Sequence, residues 1–361
     1  MKNIGVDDGH DSIKVCTGFD EAAEKYLCTT IKSQAMLGVH QIVSMGSMGS
    51  SAYSSNGEEF TILSDNALGV AMDTRFLQYP TSNLNRVLVQ HSLLKAGLAG
   101  EDVFVISGLP VDQYYQAGKQ NKALIDKKLE SLQINVASLD KSVESAAIKG
   151  GFVVSEGIAV IYDLLFDGKG AALKEMSELV ARRPVAVIDM GGKTLDIATV
   201  MEGLAGVYQP RSGTENLGAI DLKRNVAAAI KAKFSLNNEP PLKYIDEAFV
   251  TKQYEFFGEK HDVSDIVETN CWDYLKKVKN AFLTKLGDGS DLGAAIFSGG
   301  GAALLMLALG NDVFKNVYSG RIILPAEPEY ANARGNWKAG EFVFGASISK
   351  QSPVVDTKVA A

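Results

Sequence analysis

The sequence predicts an α/β protein built from two related domains, and three observations support this prediction. Hydrophobic residues make up 46% of the 361 residues, which is enough for a large core, and the length suits two domains better than one. Buried strands alternate with helices, as in mixed sheets flanked by helices. A strand–Asp-x-Gly–strand pattern occurs twice, in residues 2–15 and 185–200. This internal echo predicts a duplicated core with a ligand between its halves.

Composition limits the class of function. The net charge of −7 argues against a protein that grips phosphate backbones over a wide face, because such binding needs a clustered basic surface. The cysteines Cys16, Cys28 and Cys271 have neither metal-ligand nor CxxC spacing, which indicates reduced, buried thiols in a cytosolic protein. We expect no signal peptide, since Asp7, Asp8 and Asp11 interrupt the N-terminal segment. The apolar stretch 294–309 contains three glycines and is not typical of a membrane span.

The first half opens with the hairpin 2–15, which turns through His10-Asp11. Short strands and turns follow to about residue 78, with a predicted surface loop at 44–51. A helix is predicted over 83–96, with His91 as a packed side chain, and a strand over 103–106. A second helix is predicted over 115–132, whose lysines Lys119, Lys122, Lys127 and Lys128 would form a solvated face or, as the minority alternative, a subunit contact. Strand 151–154, Glu156 and helix 158–166 would lead into the second half.

The second half begins with the hairpin 185–200. The pattern then predicts a strand over 206–209, a glycine-bearing loop over 213–218 and helices over 219–234 and 263–286. A buried strand over 294–297 ends at Ser298-Gly299-Gly300-Gly301 and is followed by a helix over 302–309. A last helix is predicted over 330–339, and residues 346–361 should form a flexible tail.

Four loops follow strands, at residues 7–12, 155–157, 189–194 and 298–301, where α/β sheets place their ligands. One Asp-x-Gly turn alone is typical of an ordinary turn, and three glycines are typical of a packing joint. The ordered set favours a site. A P-loop is excluded because Val187 stands where that motif needs glycine and residues 195–200 continue as a strand. A dinucleotide site is excluded because no GxGxxG follows a strand.

The residues fit nucleotide binding with a divalent ion. Backbone N–H groups of the two hairpin loops would hold phosphates, and Lys14 and Lys193 would offset their charge. Asp7 and Asp189 would face each other across Mg²⁺, which binds one or two carboxylates and keeps waters. Glu156 would order or deprotonate the attacking water. The predicted nucleotide contacts are Asp8, Gly9, His10, Asp11, Ser12, Lys14, Gly191, Gly192, Lys193, Thr194, Gly299, Gly300 and Gly301.

These motifs resemble those of the actin, sugar-kinase and DnaK-type ATPases, and within them the bacterial actin-like plasmid-segregation ATPases of the ParM (StbA) type. IGVDDGHDSIKV is similar to phosphate loop one, VVSEGIAVIYD to the connecting motif, VIDMGGKTLDIATV to phosphate loop two and IFSGGGA to the adenosine motif. ISGLPVDQYY and EYANARGNWK also resemble that branch. The similarity extends from residue 2 to about residue 338.

The resemblance implies an actin-like bilobed fold with a nucleotide in the cleft. Domain I would span 1–160, completed by 329–345, and domain II would span 161–328. It implies ATP hydrolysis to ADP, with GTP as an alternative, Mg²⁺ bound to Asp7 and Asp189 through waters, and Glu156 in the hydrolytic position. It also implies nucleotide-driven cytoplasmic filaments that segregate plasmid DNA through a DNA-binding adaptor of the ParR type at a centromere-like site, without direct nucleic-acid or membrane binding.

The sequence departs from the family pattern at three positions. Relatives carry small hydroxyl residues in place of His10 and Asp11, and an acid there must point away from phosphates. Lys193 replaces a glycine or threonine. Beyond the glycines, the adenosine-side candidates are Asp221, Lys276 and Lys277, with a surface-charge role favoured. Two other functions stay open: a metabolite kinase, for which no second motif supplies a sugar-facing base, and a nucleotide-dependent scaffold that does not polymerise.

Overall fold

The computed structural model describes residues 1–40, 51–63 and 71–345. The predicted surface loop, apart from its last residue, and the predicted tail lie outside the described residues. None of the helices within this part is long and apolar enough to cross a membrane.

The first lobe contains the strands of the N-terminal part of the chain. In order they are β1 Lys2–Asp8, β2 Ser12–Asp20, β3 Lys25–Lys32, β4 Ala35–Leu37, β5 Ala52–Ser55, β6 Glu58–Ile62, β7 Asp102–Leu109, β8 Tyr115–Gln116, β9 Lys119–Gln120, β10 Ala137–Ser138 and β11 Ala147–Ser155. The central sheet has the order β11-β7-β1-β2-β3, and a smaller sheet has the order β10-β5-β6-β4.

The second lobe contains the remaining strands. They are β12 Val185–Met190, β13 Leu195–Val200, β14 Gly213–Glu215, β15 Gln253–Phe256, β16 Glu259–Asp262, β17 Ala294–Ser298 and β18 Ile322–Ile323. The sheet has the order β14-β13-β12-β17-β18, while β15 and β16 form a separate hairpin. Every residue of β12, β13 and β17 is buried, as expected for apolar runs at the centre of a sheet covered on both faces.

The two main sheets repeat one topology, which confirms the predicted duplicated core and the α/β class. β1 pairs antiparallel with β2 and parallel with β7. β12 pairs in the same way with β13 and β17. The repeat is also in register, because Asp7 lies opposite Lys14 and Asp189 lies opposite Asp196. The aspartates at the ends of the two hairpins therefore occupy equivalent positions.

Helices cover the faces of both sheets. They are α1 Asn83–Lys95, α2 Val111–Tyr114, α3 Lys122–Gln133, α4 Ile158–Leu165, α5 Lys174–Arg182, α6 Ala219–Phe234, α7 Leu242–Thr251, α8 Ser264–Leu286, α9 Gly299–Leu309 and α10 Ala331–Lys338, which continues as a π-helical turn Ala339–Val343. Side-chain caps fix two starts: the Ser82 oxygen accepts from the Asn85 N–H before α1, and the Asn121 oxygen accepts from the Leu124 N–H before α3.

Each lobe has its own hydrophobic core. The cluster of the first lobe packs α1 beneath β1 and β7, and the largest cluster of the second lobe packs α6, α7 and α8 against β12, β13 and β17. His91 is buried and its Nδ1 lies 2.8 Å from the Tyr53 hydroxyl oxygen, so it is a packed side chain as expected. Cys16 and Cys271 are buried, whereas Cys28 is half-buried.

Two helices cross where the chain passes between the lobes. α4 packs Val160 and Ile161 against the second sheet, and α10 packs Ala333 and Trp337 against Cys16 of the first. At the crossing, a Cβ on Gly335 would lie 1.8 Å from the Ala159 carbonyl oxygen. The two backbones therefore touch directly, and only glycine fits at this position of α10. The division of the chain at residue 160 stays a prediction.

The structure corrects three of the predicted elements. The helix predicted over 115–132 begins only at Lys122, because Ala117 and Gly118 have positive φ angles of 49° and 82° and turn β8 into β9. The strand predicted over 206–209 is reduced to an isolated bridge between Val200 and Val207. The loop predicted over 213–218 contains the edge strand β14.

Candidate functional site

A narrow cleft of about 50 Å³ lies between the lobes. The hairpin turns 9–11 and 191–194 approach each other across it, with β11 ending at one side and α9 beginning at the other. Most of the predicted site residues line its wall: Asp7, Asp8, Gly9, His10, Asp11, Lys14, Glu156, Asp189, Gly191, Gly192, Lys193, Thr194, Gly299 and Gly300. Ser12 and Gly301 each follow a wall residue in the chain but are not part of the wall itself.

The turn after β1 directs its carbonyl oxygens into the protein. The Gly9 carbonyl accepts from the Ser33 hydroxyl at 2.7 Å, and the His10 carbonyl accepts from the Thr74 hydroxyl at 2.7 Å. The Asp11 carbonyl accepts from the Ser33 N–H. With these oxygens engaged, the turn can offer its N–H groups to an anion in the cleft.

The turn after β12 has the same character. The carbonyls of Gly191 and Gly192 accept from the N–H groups of Ala219 and Ile220 at 2.9 Å each, and so they cap the first turn of α6. A Cβ on Gly192 would lie 2.7 Å from the Cβ of Asp11. Glycine at this position therefore allows the two turns to approach within contact distance.

Asp11 points away from the cleft, as the sequence required of an acid in this turn. Its Oδ2 lies 2.9 Å from the Lys223 Nζ of α6 and 3.8 Å from the Lys32 Nζ of β3. Asp246 of α7 completes a ring of charges, at 2.9 Å from Lys223 and 2.7 Å from Lys32. Although burial opposes ionisation, Lys223 and Lys32 hold the pKa of Asp11 well below its usual range. We call these four side chains the interlobe ring.

The two equivalent aspartates differ in their partners. Asp7 accepts a hydrogen bond from Lys14 Nζ at 3.0 Å, whereas Asp189 accepts from the Ser298 hydroxyl at 3.2 Å and from Asn332 Nδ2 at 2.7 Å. Burial, together with the nearby Asp7 carboxylate, raises the pKa of Asp189 to about 7. Burial opposes the charge of Lys14, yet Asp7 and the other carboxylates raise its pKa. Asp7 and Asp189 therefore carry more negative charge than Lys14 balances, and a bound cation would stabilise their ionised forms.

Asn332 adds an oxygen to this group. Its Oδ1 is buried and has no hydrogen-bond partner in the structure, and the residue lines the cleft. An unpaired buried amide oxygen is costly unless a ligand, a water or an ion satisfies it. Within the described residues, no cluster of three or more His, Cys, Asp or Glu side chains could hold a metal by itself. A hard cation here would therefore need oxygens from a ligand or water.

Glu156 lies between β11 and α4, and Gly157 with φ 85° lets the chain turn there. Burial, with Asp196, Asp189 and Asp7 nearby, raises the pKa of Glu156 well above its ordinary value. Asp196 of β13 accepts from the Val111 N–H at 3.0 Å and from the Thr214 hydroxyl. Burial raises the pKa of Asp196 to about 6. The Asp196 carboxyl group therefore contributes to the raised pKa of Glu156 at the cleft.

Asp8 is held by protein groups. Its carboxylate accepts from Lys128 Nζ at 2.9 Å, from the Ser107 hydroxyl at 2.6 Å and from Asn85 Nδ2 at 2.8 Å. Burial opposes ionisation, but Lys128, Ser107 and Asn85 lower the pKa of Asp8 below its usual value. The Lys128 side chain is only 2% exposed, so the prediction that it belongs to a solvated face is wrong.

The glycines before α9 have different surroundings. Gly299 has φ 87°, and a Cβ on it would lie 2.5 Å from Asp189 Oδ1. A Cβ on Gly301 would lie 2.9 Å from the Met190 Cβ, whereas a Cβ on Gly300 would meet nothing within 4 Å. Gly300 therefore presents open backbone at the start of a helix, where N–H groups lack intrahelical partners.

The remaining predicted residues fall into two groups. In the cleft, the His10 ring packs against the Tyr79 ring at a tilt of 34°, with ring centroids 4.6 Å apart, and burial lowers the pKa of His10 to about 4. Burial, with Arg75 nearby, lowers the pKa of Lys193. Away from it, Lys276 pairs with Asp273 on the surface, while Asp221 pairs with Arg75 across the lobes at 3.0 Å.

Sequence reasoning missed four residues of this region: Lys128, Asp196, Lys223 and Asn332. Asp196 could have been found, because it occupies in the second hairpin the register position of Lys14 in the first. Asn332 lies in the EYANARGNWK motif. The contacts of Lys128 and Lys223 join residues 120 and 212 positions apart, and no local pattern reports such pairs.

Comparisons with known proteins agree with this architecture. The family model for the N-terminal part of the plasmid segregation protein ParM matches residues 1–166, and the C-terminal model of the MreB-like archaeal actin homologue matches residues 187–311. The chain is similar to the 15-stranded ParM filament from Clostridium botulinum, with a TM-score of 0.72, 17% identity, and coverage of 94% of this chain and 99% of that chain.

Two further structures carry nucleotides. An archaeal actin homologue in complex with ADP has a TM-score of 0.70 at 18% identity and covers 94% of this chain and 99% of its own. Bacillus thuringiensis ParM with ATP has a TM-score of 0.64 at 17% identity and covers 94% and 98%. No curated protein sequence matches the chain. At these identities the structural likeness is one of fold, and it confirms the bilobed fold predicted from the sequence.

Proposed function

Since the chain is an actin-like protein of the ParM type, we propose that it binds ATP in the cleft, hydrolyses it and assembles with itself into filaments. The observation that supports nucleotide binding best is the pair of opposed turns. Both engage their carbonyl oxygens within the protein, which leaves N–H groups for phosphate oxygens. Lys14 and Lys193 line the same cleft and supply positive charge.

Mg²⁺ fits the residues beside these turns. Asp7 and Asp189 would hold it through water, and the unpaired Asn332 Oδ1 would accept a hydrogen bond from one of those waters. The ion would supply the positive charge that phosphates and two carboxylates together lack. The raised pKa of Asp189, about 7, fits a carboxylate whose ionised form such a cation would favour.

Glu156 would act on the attacking water. It lines the cleft beside both turns, and its raised pKa would make its ionised form a stronger proton acceptor. Asp196 would position it and share the proton. Gly300 would leave room for the adenosine at the start of α9. Because ligand pockets are typically ~300–1,000 Å³ and this cleft is about 50 Å³, the lobes would separate to admit the nucleotide.

The segregation role extends this proposal. The match of residues 1–166 to a plasmid segregation family supports filaments that move plasmid copies in the cytoplasm. The net charge of −7 is poorly suited to direct DNA contact, so a basic adaptor bound to the DNA would connect the two.

Phosphate release and sedimentation, measured together, test the proposal. We expect Mg-ATP to move the purified protein into the pellet and phosphate to follow, with EDTA preventing phosphate release. Release of ADP only in the presence of a sugar, measured in a coupled ADP assay, with neither free phosphate nor a pellet, would instead identify a metabolite kinase. Nucleotide binding with neither product would identify a scaffold. GTP in a parallel series decides the nucleotide preference.

A further inference from the structure

The turn of the hairpin β15–β16 has an unfavourable residue at its tip. Phe257 and Gly258 both have positive φ angles, 50° and 80°, as in a type I′ turn, which favours asparagine or glycine at the first position. The hairpin β5–β6 follows this preference, with Asn56 at 53° and Gly57 at 78°. A phenylalanine at this position lowers the stability of the turn.

The ring of Phe257 is also exposed. The residue is 93% exposed, more than any other large hydrophobic residue of the described chain, and its ring lies 4.4 Å from that of Phe256. Exposure of an aromatic ring to water and a left-handed backbone are two separate costs at one residue. Neither the exposed ring nor the left-handed backbone of Phe257 stabilises the folded monomer. This indicates that the ring contacts another molecule.

A groove of about 750 Å³ lies elsewhere on the surface, between the lobes. Apolar side chains contribute much of its lining, among them Tyr115, Ile125, Ile158, Val200, Leu204 and Val207. Leu204 is 43% exposed and, like Phe257, has a positive φ, 56°. The groove is large enough for an aromatic ring together with the turn that carries it.

The hairpin and the groove are separate surfaces with no lining residue in common. β13 begins beside the turn 191–194 and ends at Val200, which lines the groove. Helix α7 instead carries Asp246 of the interlobe ring, beside Asp11 on the other side of the turns, and leads into the hairpin. Because the two surfaces differ, a hairpin of one molecule seated in the groove of the next makes a head-to-tail contact, which produces a filament when the rotation between molecules does not close into a ring.

The charges around the two surfaces are complementary. Residues 253–262 carry three carboxylates, Glu255, Glu259 and Asp262, against one lysine. Residues 115–127 carry three lysines, Lys119, Lys122 and Lys127, against one aspartate. Of these charged residues, Lys122 and Asp126 line the groove itself, and the other two lysines lie in the same segment. The three carboxylates and the three lysines are all exposed. Such complementarity favours the hairpin of a second copy as the occupant of the groove.

We propose that Phe257 is the anchor of the contact between successive subunits, and that it enters the groove lined by Leu204 and Val200 of a second copy. This inference rests on the proposed self-assembly and names the surfaces that perform it. It explains why a costly residue stands at the tip of the hairpin, because the ring is buried only in the assembly.

Phe257→Asn tests the anchor without threatening the fold, because asparagine suits the turn better than phenylalanine. We expect unchanged or higher thermal stability, unchanged nucleotide binding and a critical concentration for pelleting raised roughly ten- to hundredfold, as for loss of a buried aromatic contact. Phe257→Tyr keeps the ring and should assemble like the natural chain. Assembly of Phe257→Asn at the natural critical concentration would overturn the proposal.

Mixing two variants tests the direction of the contact. Leu204→Asp places a carboxylate in the groove, where it repels the acidic hairpin, and should also fail to pellet. A mixture of Phe257→Asn and Leu204→Asp chains retains one intact ring and one intact groove, so we expect a complex of two chains by analytical ultracentrifugation that neither variant forms alone.

Absence of that complex would overturn the pairing of ring and groove, and so would normal assembly of Leu204→Asp. Because the mixture contains no protein other than this one, a complex of two chains would show that the groove binds the hairpin of a second copy. It also tests the contact independently of ATP-driven filaments, so a failure here is distinguishable from a failure of the proposed function.

Discussion

Lys223 Nζ of the second lobe lies 2.9 Å from Asp11 Oδ2 of the first, so an ion pair joins the two lobes. The Lys223 side chain is only 4% exposed. We expect Lys223→Met to lower the free energy of unfolding by about 1.5–3 kcal/mol, as for loss of a hydrogen bond to a charged group. Urea denaturation at pH 7 measures this. Lys174→Met removes an exposed pair with Glu178 at 3.9 Å and should change stability by less than about 0.5 kcal/mol.

The same variant carries a pH prediction. Because the folded pKa of Asp11 is depressed, its contribution is present above the unfolded value of about 3.9 and is lost as pH falls below it. The stability difference between Lys223→Met and the natural chain should therefore shrink on acidification from pH 5. A difference that grows would contradict the assignment.

Lys128 and Asp8 form a buried pair whose side chains are 2% and 4% exposed. Lys128→Met would leave a buried carboxylate with only neutral donors, and we expect a loss of about 3–5 kcal/mol in the free energy of unfolding. The double variant Asp8→Asn with Lys128→Met removes both charges and should cost less than Lys128→Met alone. A double-mutant cycle by urea denaturation measures the coupling, and strictly additive losses would exclude it.

Glu156→Gln should abolish proton acceptance while it preserves the shape of the cleft. We expect phosphate release to fall about a hundredfold or more, with nucleotide affinity nearly unchanged. Single-turnover phosphate release and nucleotide titration separate the two quantities. Unchanged release at saturating Mg-ATP would assign hydrolysis to another group.

Asp196 predicts a pH effect of the opposite sign to that of Asp11. Burial raises its folded pKa to about 6, so its contribution to stability is fully present below the unfolded pKa of about 3.9 and is lost as pH rises through 6. Asp196→Asn retains an acceptor oxygen for the Val111 N–H. Compared with the natural chain, we expect this variant to gain relative stability between pH 4 and 7, by roughly 3 kcal/mol at most. Thermal unfolding of both proteins across this pH range measures the effect. A stability difference that stays constant with pH would show that Asp196 does not titrate.

Gly300→Ala and Gly299→Ala form a matched pair. A Cβ at Gly300 meets nothing within 4 Å, whereas one at Gly299 would lie 2.5 Å from Asp189 Oδ1 at a φ of 87°. We expect Gly300→Ala to keep thermal stability and weaken ATP binding, because the methyl group would occupy the space for the nucleotide. Gly299→Ala should lower both. Full ATP affinity in Gly300→Ala would place the adenosine elsewhere.

The duplicated hairpins were predictable because their signals are local. An apolar strand, the Asp-x-Gly turn and a short second strand stand together in one stretch, and their repetition indicated that Asp7 and Asp189 line the same cleft. Lys128 was not predictable, because its partner Asp8 is 120 residues away and a lysine on a polar helix is usually solvated. The start of helix α3 was predicted too early for a local reason. Ala117-Gly118 forms a turn before the helix, and one glycine is the only sequence signal of that turn.

The direct contact of Gly335 with Ala159 gives the crossing of α4 and α10 the role of a pivot. Both helices contact both lobes, α4 through Ala159 and Val160 and α10 through Ala331 and Ala333. No side chain at the crossing stands between the two backbones. Rotation about such a point displaces distant parts of the molecule more than near ones. We therefore expect a small change in the gap at the phosphate turns to move the tip of the hairpin β15–β16 through a longer arc than the groove, which α4 itself lines with Ile158 and Ile161. Hydrolysis in the cleft would in this way change the fit between neighbouring molecules.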